Sequence, residues 1–342
     1  MRPELILIAA LVFAFSTLLT WVVFTFASRR GLLDIPNERS SHVRPVPRGG
    51  GLAIVIASMI GWGAMGALRI LDPKLIAALL GGGGAVAIIG FVDDRRRLSA
   101  AMRLLVHVAA AIWALLALGG LPPIQVGAQL VHFGGSGYVL GTLGIVWVLN
   151  LFNFMDGIDG IAASEAVFIA CSGALLLLVP GHSTQILGVG LTFGAAALGF
   201  LLWNWPPAKI FMGDVGSGYL GYAISIMAIA AARDIPAAIW IWLILGGVFF
   251  VDATVTLVQR AIRRERLHEA HRSHAYQRLA RRWGSHERVT LAAMLVNIAW
   301  LLPCAWMAAL YPGAAIWIAM GALAPLFTVA AVAGSGRGDR DP

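Results

Sequence analysis

Charge is scarce in this sequence: Asp, Glu, Lys and Arg make up 12% of its residues, about half the share of a soluble globular domain. Set beside 59% hydrophobic residues and a mean hydropathy of +0.82, that scarcity excludes a water-soluble enzyme and describes an integral membrane protein. Cysteine is scarcer still. Cys171 and Cys304 both lie inside apolar stretches without metal-like spacing, which argues against a disulfide framework or a cysteine zinc site. A nucleic-acid partner is not needed to explain the net charge of +8, because the arginines are distributed as an orientation signal.

Apolar stretches near 20 residues long mark membrane-spanning helices. They fall at roughly 5–27, 50–68, 75–92, 103–120, 138–155, 161–179, 184–203, 217–232, 236–258, 289–310 and 313–333, which predicts an all-α polytopic membrane protein of about eleven transmembrane helices. The first stretch exceeds a signal-peptide core of roughly 7 to 15 residues and reads as a retained span. One integral membrane domain over 1–334 is expected, followed by a short polar tail, 335–342. With the N-terminus outside, the loops at 28–49, 93–103, 204–216 and 259–288 and the tail carry 21 of the 25 Lys and Arg residues. By the positive-inside rule those loops are cytoplasmic.

Four short polar islands interrupt the apolar chain, all on that cytoplasmic side. Carboxylates so close to hydrocarbon are costly and mark ion or substrate sites. Asp93 and Asp94 end the third span, before Arg95. Asn150, Asn153 and Asp156 recur every three residues near one helical face, and Gly157 and Gly160 then break the helix and leave Asp159 on a turn. A sodium site would use the same string. Asp214 precedes the eighth span within Phe211-Met-Gly-Asp-Val-Gly216, where a helix N-terminus attracts phosphate and a carboxylate suits magnesium. The last loop holds nine arginines between Arg260 and Arg288, with His268, His271 and His274 at three-residue spacing. Contact with a diphosphate or a sugar is expected there rather than zinc, for which no further ligand completes the set. From Tyr276 to Trp283 the pattern predicts a short amphipathic helix lying on the membrane. In the first loop, Arg44, Arg48 and Gly49 to Gly51 read either as groups that approach a nucleotide or phosphate closely or as a flexible basic connector. Asp252, inside the ninth span, needs a partner or a polar cavity.

Taken together, Pro45-Val-Pro-Arg-Gly-Gly-Gly-Leu-Ala53, Asp93-Asp94, Asn153-Phe-Met-Asp-Gly-Ile-Asp-Gly-Ile-Ala162, Phe211-Met-Gly-Asp-Val-Gly-Ser217 and a late His-rich loop resemble, in this order, the polyprenyl-phosphate N-acetylhexosamine-1-phosphate transferases. That superfamily includes the phospho-MurNAc-pentapeptide translocases. The resemblance implies magnesium-dependent transfer, with manganese as a substitute, of a sugar 1-phosphate from a UDP-sugar to undecaprenyl phosphate. It also implies a site facing the cytoplasm in the bacterial inner membrane. By motif, Asp214 resembles the magnesium-binding aspartate, and Asp93 and Asp94 resemble the paired catalytic acids. Asn153, Asp156 and Asp159 resemble the nucleotide-site cluster, with Arg44, Arg48 and His271 as further substrate contacts.

Where many members carry consecutive histidines, this chain reads His271-Arg-Ser-His-Ala-Tyr-Gln277, so His274 alone aligns as a catalytic histidine. That loop is more similar to the O-antigen-initiating branch than to the translocases. A homodimer is compatible with the family. A secondary transporter is the main rival, since it too has intramembrane acids and broken helices, but it calls for internal repeats and a midplane site.

Overall fold

The computed structural model describes residues 3–36, 44–96, 98–178, 185–265 and 272–336. Among the described residues, eight helices are long and apolar enough to cross a membrane: α1 (Pro3–Arg30), α3 (Pro73–Arg96), α4 (Ala100–Leu118), α5 (Ser136–Met155), α7 (Gln185–Asn204), α8 (Asp214–Asp234), α12 (His286–Leu310) and α13 (Pro312–Ala333). Two shorter apolar helices are α2 (Gly51–Ala67) and α6 (Ile161–Leu176). The expected ninth span is not one straight helix. It divides into α9 (Ala238–Leu245) and α10 (Gly247–Ile262), bent by 75° at Gly246. Counting that pair as one segment, the apolar helices match the stretches read from hydropathy. A short polar helix, α11 (Ala275–Trp283), follows the basic loop.

The molecule is apolar on the outside as well as the inside. Leu7, Leu11 and Leu18 of α1 are 61%, 60% and 55% exposed, a surface that only lipid covers without penalty. At the centre stands α8, buried over its whole apolar length and packed against α2, α3 and α5. Small residues at Gly216, Ser217, Gly218 and Gly221 let the neighbouring backbones come close. The α1, α6 and α7 helices form one flank. On the other, α9 packs against α12 and α10 against α13.

Some polar groups within this bundle are matched locally, as hydrocarbon favours. Helix α3 contains a π-helical segment, Ala77–Gly82, where Tyr222 Oη donates to the Ala78 carbonyl at 2.8 Å and Trp113 Nε1 to that of Ala77 at 2.8 Å. A side chain at Gly82 would collide with that tyrosine, so the glycine run serves helix contact. The described residues also form two small antiparallel pairings, Leu33–Asp34 with Val46–Pro47 and Ile124–Val126 with Gln129–Val131.

Candidate active site

Asp214 begins α8, so its carboxylate stands where α3, α5 and the first loop meet. The first loop is held there by backbone pairing. Phe211 N donates to the Pro47 carbonyl at 2.8 Å, and the Phe211 carbonyl accepts from Gly49 N and Gly50 N. Gly49 to Gly51 therefore approach protein backbone rather than a phosphate. A Cβ on Gly51 would lie 2.4 Å from the Gly216 Cα, so α2 and α8 touch backbone to backbone.

This clamp delivers Arg48 to two carboxylates. Its Nε lies 3.0 Å from Asp94 Oδ1 and its Nη2 2.9 Å from Asp214 Oδ1. Burial disfavours the guanidinium charge, but Asp94 and Asp214 outweigh it and hold the Arg48 pKa above its ordinary value. Asp94 also accepts from the backbone N–H groups of Asp214 and Val215 at 2.9 and 3.1 Å. It thereby caps α8 from another helix, where a carboxylate complements the helix dipole. Asp93 accepts from Leu98 N and from Arg103 Nη1, and the same Arg103 nitrogen lies 3.6 Å from Asp214. Asn153 Nδ2 donates to Asp214 Oδ1 at 3.2 Å and to Ser217 Oγ at 2.9 Å.

Asp156, just past the end of α5, joins this group electrostatically. Its removal from water, with Asp214 and Asp94 adding negative charge, pushes its pKa well above the usual carboxylate range in spite of Arg48. With every acid ionised, Asp93, Asp94, Asp156 and Asp214 face, among the described residues, the cations Arg48 and Arg103. The excess is negative. Between α3, α4, α5 and α8 lies a cavity of about 120 Å3, walled by Arg103, His107, Asn153 and Asp214 at one part and by Leu104 and Leu149 at another.

Several expected site residues lie elsewhere. Asp159 is committed to the Ala208 N–H at 3.0 Å and to His286 Nδ1 at 3.2 Å, so it braces the 204–213 loop. His274 is buried against Asp252, with Nδ1 3.5 Å from Oδ1, and stacks on Phe154. Arg44 is exposed and takes no part in the carboxylate cluster. His271 and His268 fall outside the described residues.

Asp252 turns out to organise the last loop. It accepts from Ala275 N, Tyr276 N, Thr256 Oγ1 and Ser335 Oγ at 2.8 to 3.2 Å, which caps α11 and ties in the start of the tail. Helix α11 forms as expected, with Tyr276 and Ala280 buried in protein contacts and Trp283 exposed at its end. Tyr276 donates to the Phe154 carbonyl at 2.9 Å. Burial, with Asp252 and Asp156 nearby, pushes its phenol well above the ordinary value and keeps it a neutral donor. Ser335, placed in the polar tail by composition, is fully buried.

Sequence reasoning missed Arg103 and His107. Their signal is i, i+4 spacing on a helix that starts six residues after the acid pair's last position, which brings both onto one face. The comparisons with known proteins agree with this architecture. The family model for glycosyl transferase family 4 matches residues 76–232, a stretch that runs from within α3 to within α8 and holds most of the acids described. A Bacillus subtilis protein named "Probable undecaprenyl-phosphate N-acetylglucosaminyl 1-phosphate transferase" is 31% identical over 309 residues, covering 89% of this chain and 84% of that one.

The chain belongs to glycosyl transferase family 4.

Within that family, the decaprenyl-phosphate N-acetylglucosaminephosphotransferase of Mycobacterium tuberculosis is 30% identical, covering 81% of this chain and 76% of its own. The phospho-N-acetylmuramoyl-pentapeptide-transferase of Streptomyces coelicolor is 30% identical over 66% of this chain and 74% of its own. This family 4 member is a multi-pass membrane protein.

Proposed function

We propose that this protein transfers a sugar 1-phosphate, from a UDP-linked N-acetylhexosamine or N-acetylated 6-deoxyhexose, to undecaprenyl phosphate. The products are undecaprenyl-diphosphate-sugar and UMP, and the reaction begins O-antigen or another cell-envelope polysaccharide on the cytoplasmic face of the bacterial inner membrane. The observation that carries the reading is the meeting of Asp93, Asp94, Asp156, Asp214, Asn153, Arg48 and Arg103 from five separate segments, beside a cavity that Arg103, Asn153 and Asp214 line. The relatives named for transfer of N-acetylglucosamine phosphate to polyprenyl phosphates support it.

The chemistry joins two anions. An oxygen of the lipid phosphate attacks the phosphorus attached to the sugar, the bond between that phosphorus and the bridging oxygen breaks, and UMP leaves with the bridging oxygen. A phosphate monoester has a second pKa of about 6, so the nucleophile is already largely dianionic near neutrality and no strong base is required. What the reaction needs is positive charge and alignment. Arg48 and Arg103 supply fixed cations beside Asp214, and Asn153 offers a neutral donor. Asp94 holds the N-terminus of α8 in place, and Asp93 orients Arg103. Because both paired acids are engaged by donors, direct attack by the lipid phosphate is favoured over an aspartyl intermediate.

The donor set fits a magnesium ion. It consists of hard oxygen ligands with excess negative charge, and Asp214 with Asp93 would hold the ion. Among the described residues no three His, Cys, Asp or Glu side chains form a complete metal cage. Magnesium usually takes one or two carboxylates together with phosphate oxygens and water. When bound, magnesium would neutralise charge on the diphosphate.

The test is to supply purified protein with undecaprenyl phosphate, magnesium and a panel of UDP-sugars and to measure UMP. Release is expected with at least one N-acetylated donor and is expected to stop with EDTA. Solute uptake by proteoliposomes, with no UMP from any donor, would establish the transporter instead.

A further inference from the structure

His107 has no place in the ion-pair network, yet it lines the same cavity as Asp214. Its Nδ1 is buried without a hydrogen-bond partner among the described residues, while Nε2 is not so buried, which leaves Nε2 as the nitrogen that an occupant of the cavity can reach. Arg103 sits one helical turn earlier on the same face of α4 and brings a guanidinium, 34% exposed, to that wall. Another part of the wall is apolar, and one residue of it, Leu104, is also 49% exposed on the outer surface of the bundle. The cavity thus runs from a polar end, where Arg103 and His107 stand beside Asn153 and Asp214, to a side that bears Leu104 and Leu149.

Its size narrows the occupant. At about 120 Å3, it is well below the roughly 300 to 1,000 Å3 of sites that enclose a whole drug-sized ligand. A nucleotide does not fit inside it, whereas one phosphate group does. We propose that this cavity receives the phosphate head of the lipid acceptor and that His107 is a positioning residue, hydrogen-bonding a phosphate oxygen while Arg103 compensates its charge. The isoprenoid chain leaves past Leu104 and Leu149. This inference rests on the transferase reading above and adds a binding residue for one of the two substrates.

The test compares wild type with His107→Phe, which fills similar space without hydrogen bonding, and with His107→Gln, which keeps a polar amide. In steady-state assays with each substrate varied separately, His107→Phe is expected to raise the KM for undecaprenyl phosphate about tenfold, the equivalent of one hydrogen bond. The KM for the UDP-sugar should stay within about twofold, and His107→Gln should recover most of the loss. A binding readout independent of turnover uses detergent-solubilised protein and thermal melting. Farnesyl phosphate should stabilise wild type and His107→Gln but not His107→Phe, while farnesol and inorganic phosphate should stabilise none.

Equal changes in both KM values, an unchanged lipid KM, or stabilisation of His107→Phe by farnesyl phosphate would overturn the proposal. Stabilisation by inorganic phosphate as strong as by farnesyl phosphate would overturn its lipid part. If His107→Phe does not fold, His107→Ala takes its place with the same expectations. Should wild type release no UMP while farnesyl phosphate still binds through His107, the transferase reading falls and the phosphate site stands.

Discussion

Asp214 and Asp252 are both aspartates of membrane helices and both are largely withdrawn from water, yet they are surrounded in contrary ways. Asp214 shares two arginines with other carboxylates, lines an open cavity and belongs to a group with more acids than cations. Asp252 accepts from two backbone N–H groups and two hydroxyls, with His274 alongside. A carboxylate whose lone pairs are filled by its own chain serves architecture, while one left short of positive charge is prepared for a ligand that brings it. Asp94 combines both conditions, since it pairs with Arg48 and caps α8.

Substitution by asparagine tests that contrast. The largest effect is expected for Asp214→Asn, which should lower kcat about 1,000-fold, on the scale of losing one strong electrostatic contact in a transition state. Its melting temperature should be close to wild type, measured in detergent. Activity near wild type would remove Asp214 from the chemistry. Asp94→Asn should show a mixed outcome: kcat down about 100-fold and stability down by about 1 to 3 kcal/mol, because one charged acceptor of backbone N–H bonds is lost.

Asp252→Asn should reverse the balance. Stability is expected to fall by about 2 to 4 kcal/mol, whereas kcat per folded molecule, counted by active-fraction titration, should change less than about tenfold. A kcat loss as deep as that of Asp214→Asn, with melting unchanged, would erase the distinction between the two centres.

The smallest effect is a pH dependence at Asp156. Its folded-state pKa is raised from 3.8 by burial and neighbouring acids. Its contribution to stability is therefore fully present below that ordinary value and is lost as pH rises through the raised one. Asp156→Asn should melt like wild type near the acid limit and at a higher temperature than wild type under mildly alkaline conditions, both in EDTA. Parallel melting curves across that range would show that Asp156 carries no excess charge.

Hydropathy made the helices legible because bilayer thickness fixes their length, but it averages over a window and so passed across the bend at Gly246. The acids were legible for a related reason: a carboxylate at the end of an apolar run has few harmless uses. Which acid does what was not. Asp159 and Asp156 lie in one repeated motif, and only tertiary contacts turn the first toward Ala208 and His286. Arg103 passed as an orientation charge, and His107 was hidden by the apolar residues around it. Gly49 to Gly51 were misread because close approach to a phosphate and close approach to another helix demand the same residue.

The seam between Gly51 and Gly216 has a mechanical consequence. Two backbones already in contact cannot draw nearer, and the strand pairing from Pro47 to Phe211 resists their parting, so this side of the molecule behaves as an anvil. A bulky, chain-bearing substrate that must slip in sideways finds its give on the opposite jamb, along α4, where Leu104 and Leu105 look outward.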